Sequence, residues 1–415
     1  MGVVIVAKNE AASSPHPAPY TLAGWRALPL VTRRLILMRF ARSIAQGALA
    51  VDFVLYLQAL HWQATAIGSL LAVSGLIGAG LMLIAGPVSD RWGRRPFLVL
   101  YEVLSLVGTL VVLFLRVNWL LAVTAILLGY GRGANGSAGP FAPAEQSWLS
   151  GLIEKREFGT VLSINTAIGF FGMGIGAVLA GLIGASRPMF VLPLAASLIA
   201  TMLLALTPDP PREAAARTEG HEAVSKAENS LLWKLAGLNI LNGTGIGLSG
   251  PFISWWFAAR YHAGASAIGP ALAIAFAAAG IAALTTGRLT RRLGTVRAVV
   301  LMRGIGLVSL FALPFSPSFG VALVVYALRS AFNRGTAGAR QAVALGLVRG
   351  ERRGLAASVN TISVLLPRGI APALAGVLFE SGALAAPFLL AGLFQGAYLF
   401  IYPRVFGRHD PSRSA

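Results

Sequence analysis

Nine charged side chains sit well inside segments that are otherwise apolar, away from the segment ends that hold Arg39, Arg42 and Lys234: Asp52, Glu102, Arg132, Glu145, Arg303, Arg329, Arg334, Arg340 and Arg368. A charge at that depth in a nonpolar medium is costly, so it is kept where it carries a proton, meets an opposite charge or holds a ligand. Asp52 lies deep in its segment and is the candidate proton carrier. Arg132 lies at comparable depth in an oppositely directed segment. If the two pair, a proton on Asp52 frees Arg132 to bind something else, and the alternative is a permanent salt bridge.

The C-terminal charges differ in sign balance. Arg329, Asn333, Thr336 and Arg340 follow one another at helical spacing and share one face, with Arg334 pointing away from it. Arg368, beside Pro367, adds a further cation, and no acidic residue lies in these apolar segments to neutralise the set. A cavity so lined prefers an anion. The competing reading gives Arg340 to a segment end and pairs the arginines with backbone carbonyls or with an acid from the other half.

Other polar residues have narrower readings. Glu145 follows Pro140 and Pro143 and is expected to pair with the basic loop after the second segment. Asn242, with Gly243 and Gly245, suggests a flexible cavity wall, and Trp255 and Trp256 read as interfacial anchors. Asn165 and Asn360 occupy matching places and read as helix-bridging amides. Arg39, Arg42 and Lys234 lie near segment ends, where long side chains snorkel to the surface.

Catalysis finds no support. The five histidines show no metal-ligand spacing, and neither a nucleophile elbow nor a phosphate-binding loop occurs. No metal or cofactor is expected, and energy must come from an ion or substrate gradient, here taken as protons. There is no cysteine, hence no disulfide. The net charge of +19 would suggest nucleic acid in a soluble chain, but these charges are scattered in short loops between apolar runs.

The elements that must position these residues are membrane spans. Hydrophobic residues make up 56% of the 415 and charged residues 12%, and the mean hydropathy is +0.72. Runs of roughly twenty apolar residues mark twelve segments, near 35–59, 65–86, 97–115, 120–150, 158–184, 189–207, 231–258, 266–286, 298–315, 319–347, 354–377 and 385–402. Of the 34 Lys and Arg residues, nine lie within segments and only Arg116, Arg187 and Arg260 fall in the loops of one side. The rest crowd the other side, which places both termini in the cytoplasm of a cell membrane, as in a bacterial inner-membrane protein. The chain divides into a tail at 1–34, a six-span bundle at 35–207, a polar linker at 208–230, a second bundle at 231–402 and a tail at 403–415.

The halves are copies. Gly159, Ser163, Asn165, Thr166, Gly174, Ile175, Leu179, Ala180 and Gly181 recur as Gly354, Ser358, Asn360, Thr361, Gly369, Ile370, Leu374, Ala375 and Gly376. Parallel repeats put a substrate cavity between the halves near the midplane and open it by rocking. The basic stretch Gly86 to Arg95 also has a weaker second copy, Gly287 to Arg297, each between two spans.

Over residues 35–402 the chain thereby resembles the major facilitator superfamily, whose loop signature matches Gly86, Asp90, Arg91, Gly93, Arg94 and Arg95. Gly287, Arg288, Arg291 and Arg292 match its second copy, and Arg132, Asn135 and Gly136 resemble a pattern of the fourth span, with Asn in place of Gln. The resemblance implies an all-α membrane protein of twelve helices in two pseudo-symmetric six-helix bundles. It implies that Asp90 meets the start of the eleventh span and that the loop arginines lock the cytoplasmic face, and Glu145, paired with that loop, is counted with them as a gating residue. It places Asp52 and Arg132 beside the cavity, with Arg132, Asn135, Asn242, Arg329, Asn333 and Arg368 as its substrate-facing set.

Gly169, Gly172, Gly174, Gly176 and Gly181 resemble the fifth-span glycine series of proton-driven exporters, without its proline. The expected function is secondary active transport of a small organic solute by a monomer in the bilayer, as proton-coupled efflux. The alternatives are an importer or facilitator of an organic or phosphorylated anion, and a membrane receptor that has lost transport.

Overall fold

The computed structural model describes residues 25–26, 28–131, 144–145, 148–149, 152, 155–208, 226–346 and 353–407. The N-terminal half contains α1 (Leu30–Ala59), α2 (Ala64–Trp92), α3 (Arg94–Phe114), α4 (Asn118–Leu128), α5 (Lys155–Ile183) and α6 (Val191–Ala205). The C-terminal half contains α7 (Lys226–Ser249), α8 (Ile253–Tyr261), α9 (Ala265–Leu293), α10 (Thr295–Ala312), α11 (Phe319–Arg334), α12 (Ala337–Gly346), α13 (Arg353–Glu380) and α14 (Ala386–Phe406). Among the described residues nine helices are long and apolar enough to cross a membrane.

Two expected spans are broken. The seventh is α7 followed by α8, because Pro251 supplies no amide hydrogen and the helix stops at Ser249. The tenth is α11 followed by α12, with a turn at Gly335 and Thr336. A Cβ on Gly335 would lie 2.8 Å from the Ala282 Cβ of α9, so close packing fixes glycine at that turn. Arg340 therefore does not continue the helix that carries Arg329 and Asn333.

The duplication is visible in packing. In one half α1 packs on α5, and in the other α7 packs on α13. Between halves α5 meets α9 and α2 meets α13, the same pairing with the copies exchanged. Glycine permits these approaches, since no hydrophobic force drives helices together in lipid. A Cβ on Gly269 would lie 2.8 Å from Gly181 Cα, and one on Gly376 would lie 3.2 Å from Gly68 Cα. Gly181 and Gly376 are repeat-related, so one inherited glycine closes each seam. The two basic stretches also fold alike: Gly93 at φ 103° and Gly294 at φ 86° each end one helix and start the next.

A branched side chain at both seam glycines, Gly269→Val with Gly376→Val, is expected to hold this end of the seam apart. The chain lacks cysteine, so labelling of a single Thr65→Cys reads the change without background, and faster labelling in the valine protein is the expected result.

Candidate functional site

The two ends of the molecule are packed differently. At the end away from the basic loops one continuous core joins the halves, from Phe53 and Phe190 through Phe252, Trp256, Phe276, Phe379 and Phe388. At the basic end each half has its own clusters: Leu35, Leu98 and Trp148 with neighbours in one, and Leu232, Val299 and Tyr402 with neighbours in the other. Among the described residues one shared core thus closes the seam at one end, and the clusters at the basic end belong to one half each.

Trp256 belongs to the seal. It is fully buried, with ring centroids 4.9 Å from Phe388 and 5.4 Å from Phe257, and Trp255 lies 5.0 Å from Phe379. This corrects the reading of these tryptophans as interfacial anchors. The short helix α8 turns them inward, a rotation that the unbroken apolar text of the seventh span does not announce. Across the same end, the Ser254 hydroxyl donates to the Ala50 carbonyl at 2.9 Å, and the Thr65 amide donates to the Glu380 carboxylate at 2.8 Å.

Asp52 is fully buried on α1, and among the described residues neither carboxyl oxygen has a hydrogen-bond partner. Such a carboxyl has nothing to exchange with except a proton or a group that arrives in another state. Its expected partner Arg132 lies outside the described residues, as does Asn135.

A second charged group lies in the same half. Arg42 of α1 donates from Nε to Glu102 of α3 at 2.5 Å and from Nη1 to Glu145, and all three side chains are buried. This corrects two expectations: Arg42 does not snorkel, and Glu145 pairs inside its own bundle, not with the loop after α2. The reason is helix rotation: α1 turns Arg42 toward Glu102 of α3 and toward Glu145, within bonding distance of both.

The C-terminal half buries arginines, and between 231 and 402 its acidic residues are Glu351 and Glu380 alone. Arg303 of α10 donates from Nη2 to the Asn242 side chain at 2.7 Å and stacks 4.6 Å from the Tyr398 ring centre. Arg329 of α11 donates from Nη2 to the Ser249 hydroxyl at 2.6 Å. Arg303 Nη1, Arg329 Nε, Arg340 Nε and Arg368 Nη2 are buried with no partner among the described residues. A pocket of about 200 Å³ between α7, α12, α13 and α14 takes in Arg340 but not Arg303, Arg329 or Arg368, and Asn239, Gln341, Asn360, Tyr398 and Tyr402 are among its lining. Asn239 bridges to Asn360 at 3.0 Å and to Ser363 at 3.0 Å, which fixes the α7–α13 wall. Asn333 reaches Gln395 at 3.5 Å, the limit of a hydrogen bond. Arg334 faces elsewhere, over the rings of Phe276 at 4.9 Å and of Phe170 at 5.9 Å, and so touches both halves.

Three of these positions carry only a weak signal in the sequence. Arg303 is visible there as an embedded charge but not as a cavity residue, Gln395 not at all, and Arg42 resembles an end residue. Of the motif residues, Arg95 donates to the carbonyls of Leu204 at 3.1 Å and Ala205 at 3.0 Å, satisfying the C-terminal end of α6. Arg91, Arg288, Arg291 and Arg292 sit in the last turns of α2 and α9, and Arg94 opens α3. Gly86 lies within α2, and Gly287 within α9. The side chain of Asp90 lies outside the described ones.

A profile of the Major Facilitator Superfamily matches residues 35–237 and again 235–415. A stretch of 86 residues is 29% identical to inositol transporter 4 of Arabidopsis thaliana, covering 21% of this chain and 14% of that protein. Another of 103 residues is 32% identical to a D-xylose transporter of Levilactobacillus brevis, covering 25% of this chain and 21% of that protein. The chain thus spans well under half the length of these curated relatives in the matched region. Among solved structures, the nucleoside transporter NupG superposes with a TM-score of 0.67 at 13% identity, over 91% of this chain and 99% of that one. A D-xylose-proton symporter gives 0.66 at 17% identity over 87% and 96%. A bacterial homologue of the human lysosomal transporter Spinster, inward-facing and unoccupied, gives 0.65 at 16% identity over 92% and 98%.

Proposed function

Because the chain belongs to the major facilitator superfamily and is a multi-pass secondary transporter rather than an enzyme, we propose that its solute is a small organic anion moved by alternating access and coupled to protons. The observation that carries this reading is the set of guanidinium nitrogens on Arg303, Arg329, Arg340 and Arg368 that are buried without a partner among the described residues. Several kcal/mol oppose each buried ion that stays uncompensated, and the only acidic residues between 231 and 402 are Glu351 and Glu380. An arriving carboxylate, sulfate or phosphate supplies the missing acceptors, two at a time where it meets a guanidinium edge.

In this scheme Arg329, Arg340 and Arg368 draw the anion in from the basic end, and Asn242 and Tyr398 hold Arg303 in place behind them. Asp52 carries the proton on the other side of the seam, and Arg132 is its proposed exchange partner. The basic end faces the cytoplasm by its charge. The expectation of efflux rests on the fifth-span glycines alone, and the relatives above are transporters and a symporter, so the proposal ties proton to anion and leaves the sign of flux to the assay.

The test is uptake and release in proteoliposomes, with organic anions and neutral sugars offered with and without a pH gradient. Arg329→Ala and Arg368→Ala are each expected to abolish anion flux, and flux unchanged in both overturns the reading. A second reading, a neutral polyol or sugar, is favoured by the inositol and D-xylose transporters among the relatives and by the amides of Asn239, Asn360 and Gln395. It predicts sugar flux that survives both arginine substitutions.

A further inference from the structure

Along α9, Ile274, Ala278, Ile281, Thr285, Arg288 and Arg292 follow at alternating steps of four and three and form one stripe. The stripe lies away from the seam, because α9 meets α5 through Gly269, Ala273 and Gly280. Ile274 is 51% exposed and Ile281 57%, so this face is turned outward to lipid. From Ile274 to Arg288 the helix rises about 21 Å, more than the roughly 15 Å of hydrocarbon in one leaflet. The stripe therefore runs from the midplane to the headgroups at the basic end.

Beside it lies a groove of about 850 Å³. Its floor is Ala278, Ile281, Met302 of α10 and Phe332 of α11, and its mouth is Arg288, Arg291 and Arg292. The floor is apolar and leaflet-deep. The mouth carries three cations, and no acidic residue occurs between Glu228 and Glu351. Charge and polarity thus change together along one cleft, in the order in which a lipid changes from tail to headgroup.

We infer that this groove is a binding site for an anionic phospholipid of the leaflet at the basic end, with an acyl chain over Ala278, Ile281, Met302 and Phe332 and the phosphate among Arg288, Arg291 and Arg292. Arginine suits this role, since its planar donors meet two phosphate oxygens at once and its charge persists next to lipid. The bound lipid would brace α9 against α10 and α11 while α9 slides on α5. It gives these arginines work beyond marking topology, and it is independent of which solute the seam carries.

Native mass spectrometry of the purified protein, titrated with phosphatidylglycerol, cardiolipin or phosphatidylethanolamine, reads the site. The unaltered protein is expected to retain the two anionic lipids in preference to phosphatidylethanolamine. Retention should fall about fivefold for each arginine removed in the series to Arg288→Gln, Arg291→Gln and Arg292→Gln. Ala278→Trp, which fills the floor and leaves every charge in place, should also lose them. Equal retention of phosphatidylethanolamine overturns the inference. So does retention by Ala278→Trp, which would assign the effect to surface charge alone, and so does competition by soluble glycerol phosphate, which would make the site one for a free anion. Circular dichroism of each variant separates loss of lipid from loss of fold, and the single Arg292→Gln, still expected at about a fifth of normal retention, serves if the triple variant does not fold.

Discussion

Alanine in place of Arg42 is expected to be the most damaging single change in the N-terminal half. It removes the one cation that, among the described residues, lies within bonding distance of both Glu102 and Glu145 and leaves two carboxylates buried side by side. Breaking a buried ionic cluster by removing one partner costs about 3–5 kcal/mol, a large share of the total stability of a folded domain. The folded fraction recovered in mild detergent should drop sharply and the unfolding temperature should fall. The triple change Arg42→Met with Glu102→Gln and Glu145→Gln deletes the whole cluster and should recover much of the loss. An Arg42→Ala protein as stable as the parent would mean that the cluster holds nothing together.

The second large effect is on coupling. Asp52→Asn keeps size and hydrogen-bonding capacity but removes the proton-binding charge, and Asp52 is buried with no partner among the described residues. The substituted protein should fold, bind solute and equilibrate it downhill, yet fail to concentrate it when a pH gradient is imposed. Uphill accumulation by the asparagine protein, with solute and gradient as for the parent, would remove Asp52 from the coupling scheme. The two substitutions read different things, since Arg42→Ala acts on stability and Asp52→Asn acts on work done by an intact carrier.

The frame of this fold was legible because it is written in long-range features. Runs of apolar residues of membrane length, the loop glycines Gly93 and Gly294, and a repeat that aligns Gly181 with Gly376 all survive without knowledge of side-chain direction. The seam itself follows from them, as those glycines lie against the opposite half. What was not legible depends on rotation about a helix axis. Arg42 and Arg39 are three residues apart, and only the set of α1 decides that Arg42 turns toward Glu102. Trp256 looked like a lipid anchor because a break at Pro251 reorients it, and Arg340 looked continuous with Arg329 because a two-residue turn hides inside apolar text. The cation excess of the C-terminal half was visible as composition, but its centre at Arg303, held by Asn242 and Tyr398, required the packing of α7, α10 and α14.

The central claim is that two copies of a six-span bundle open alternately at their two ends. Paired spin labels test it directly, one pair on cysteines at Gln63 and Ser381 across the sealed end and another at Trp92 and Leu293 across the basic end; all four positions are exposed. In purified protein the account predicts a short distance for the first pair and a long one for the second, with a minor population in which both are reversed. A change of pH, or a transported anion, should shift the two pairs in opposite directions. Distances that never change, or that lengthen and shorten together, would contradict alternating access in this protein.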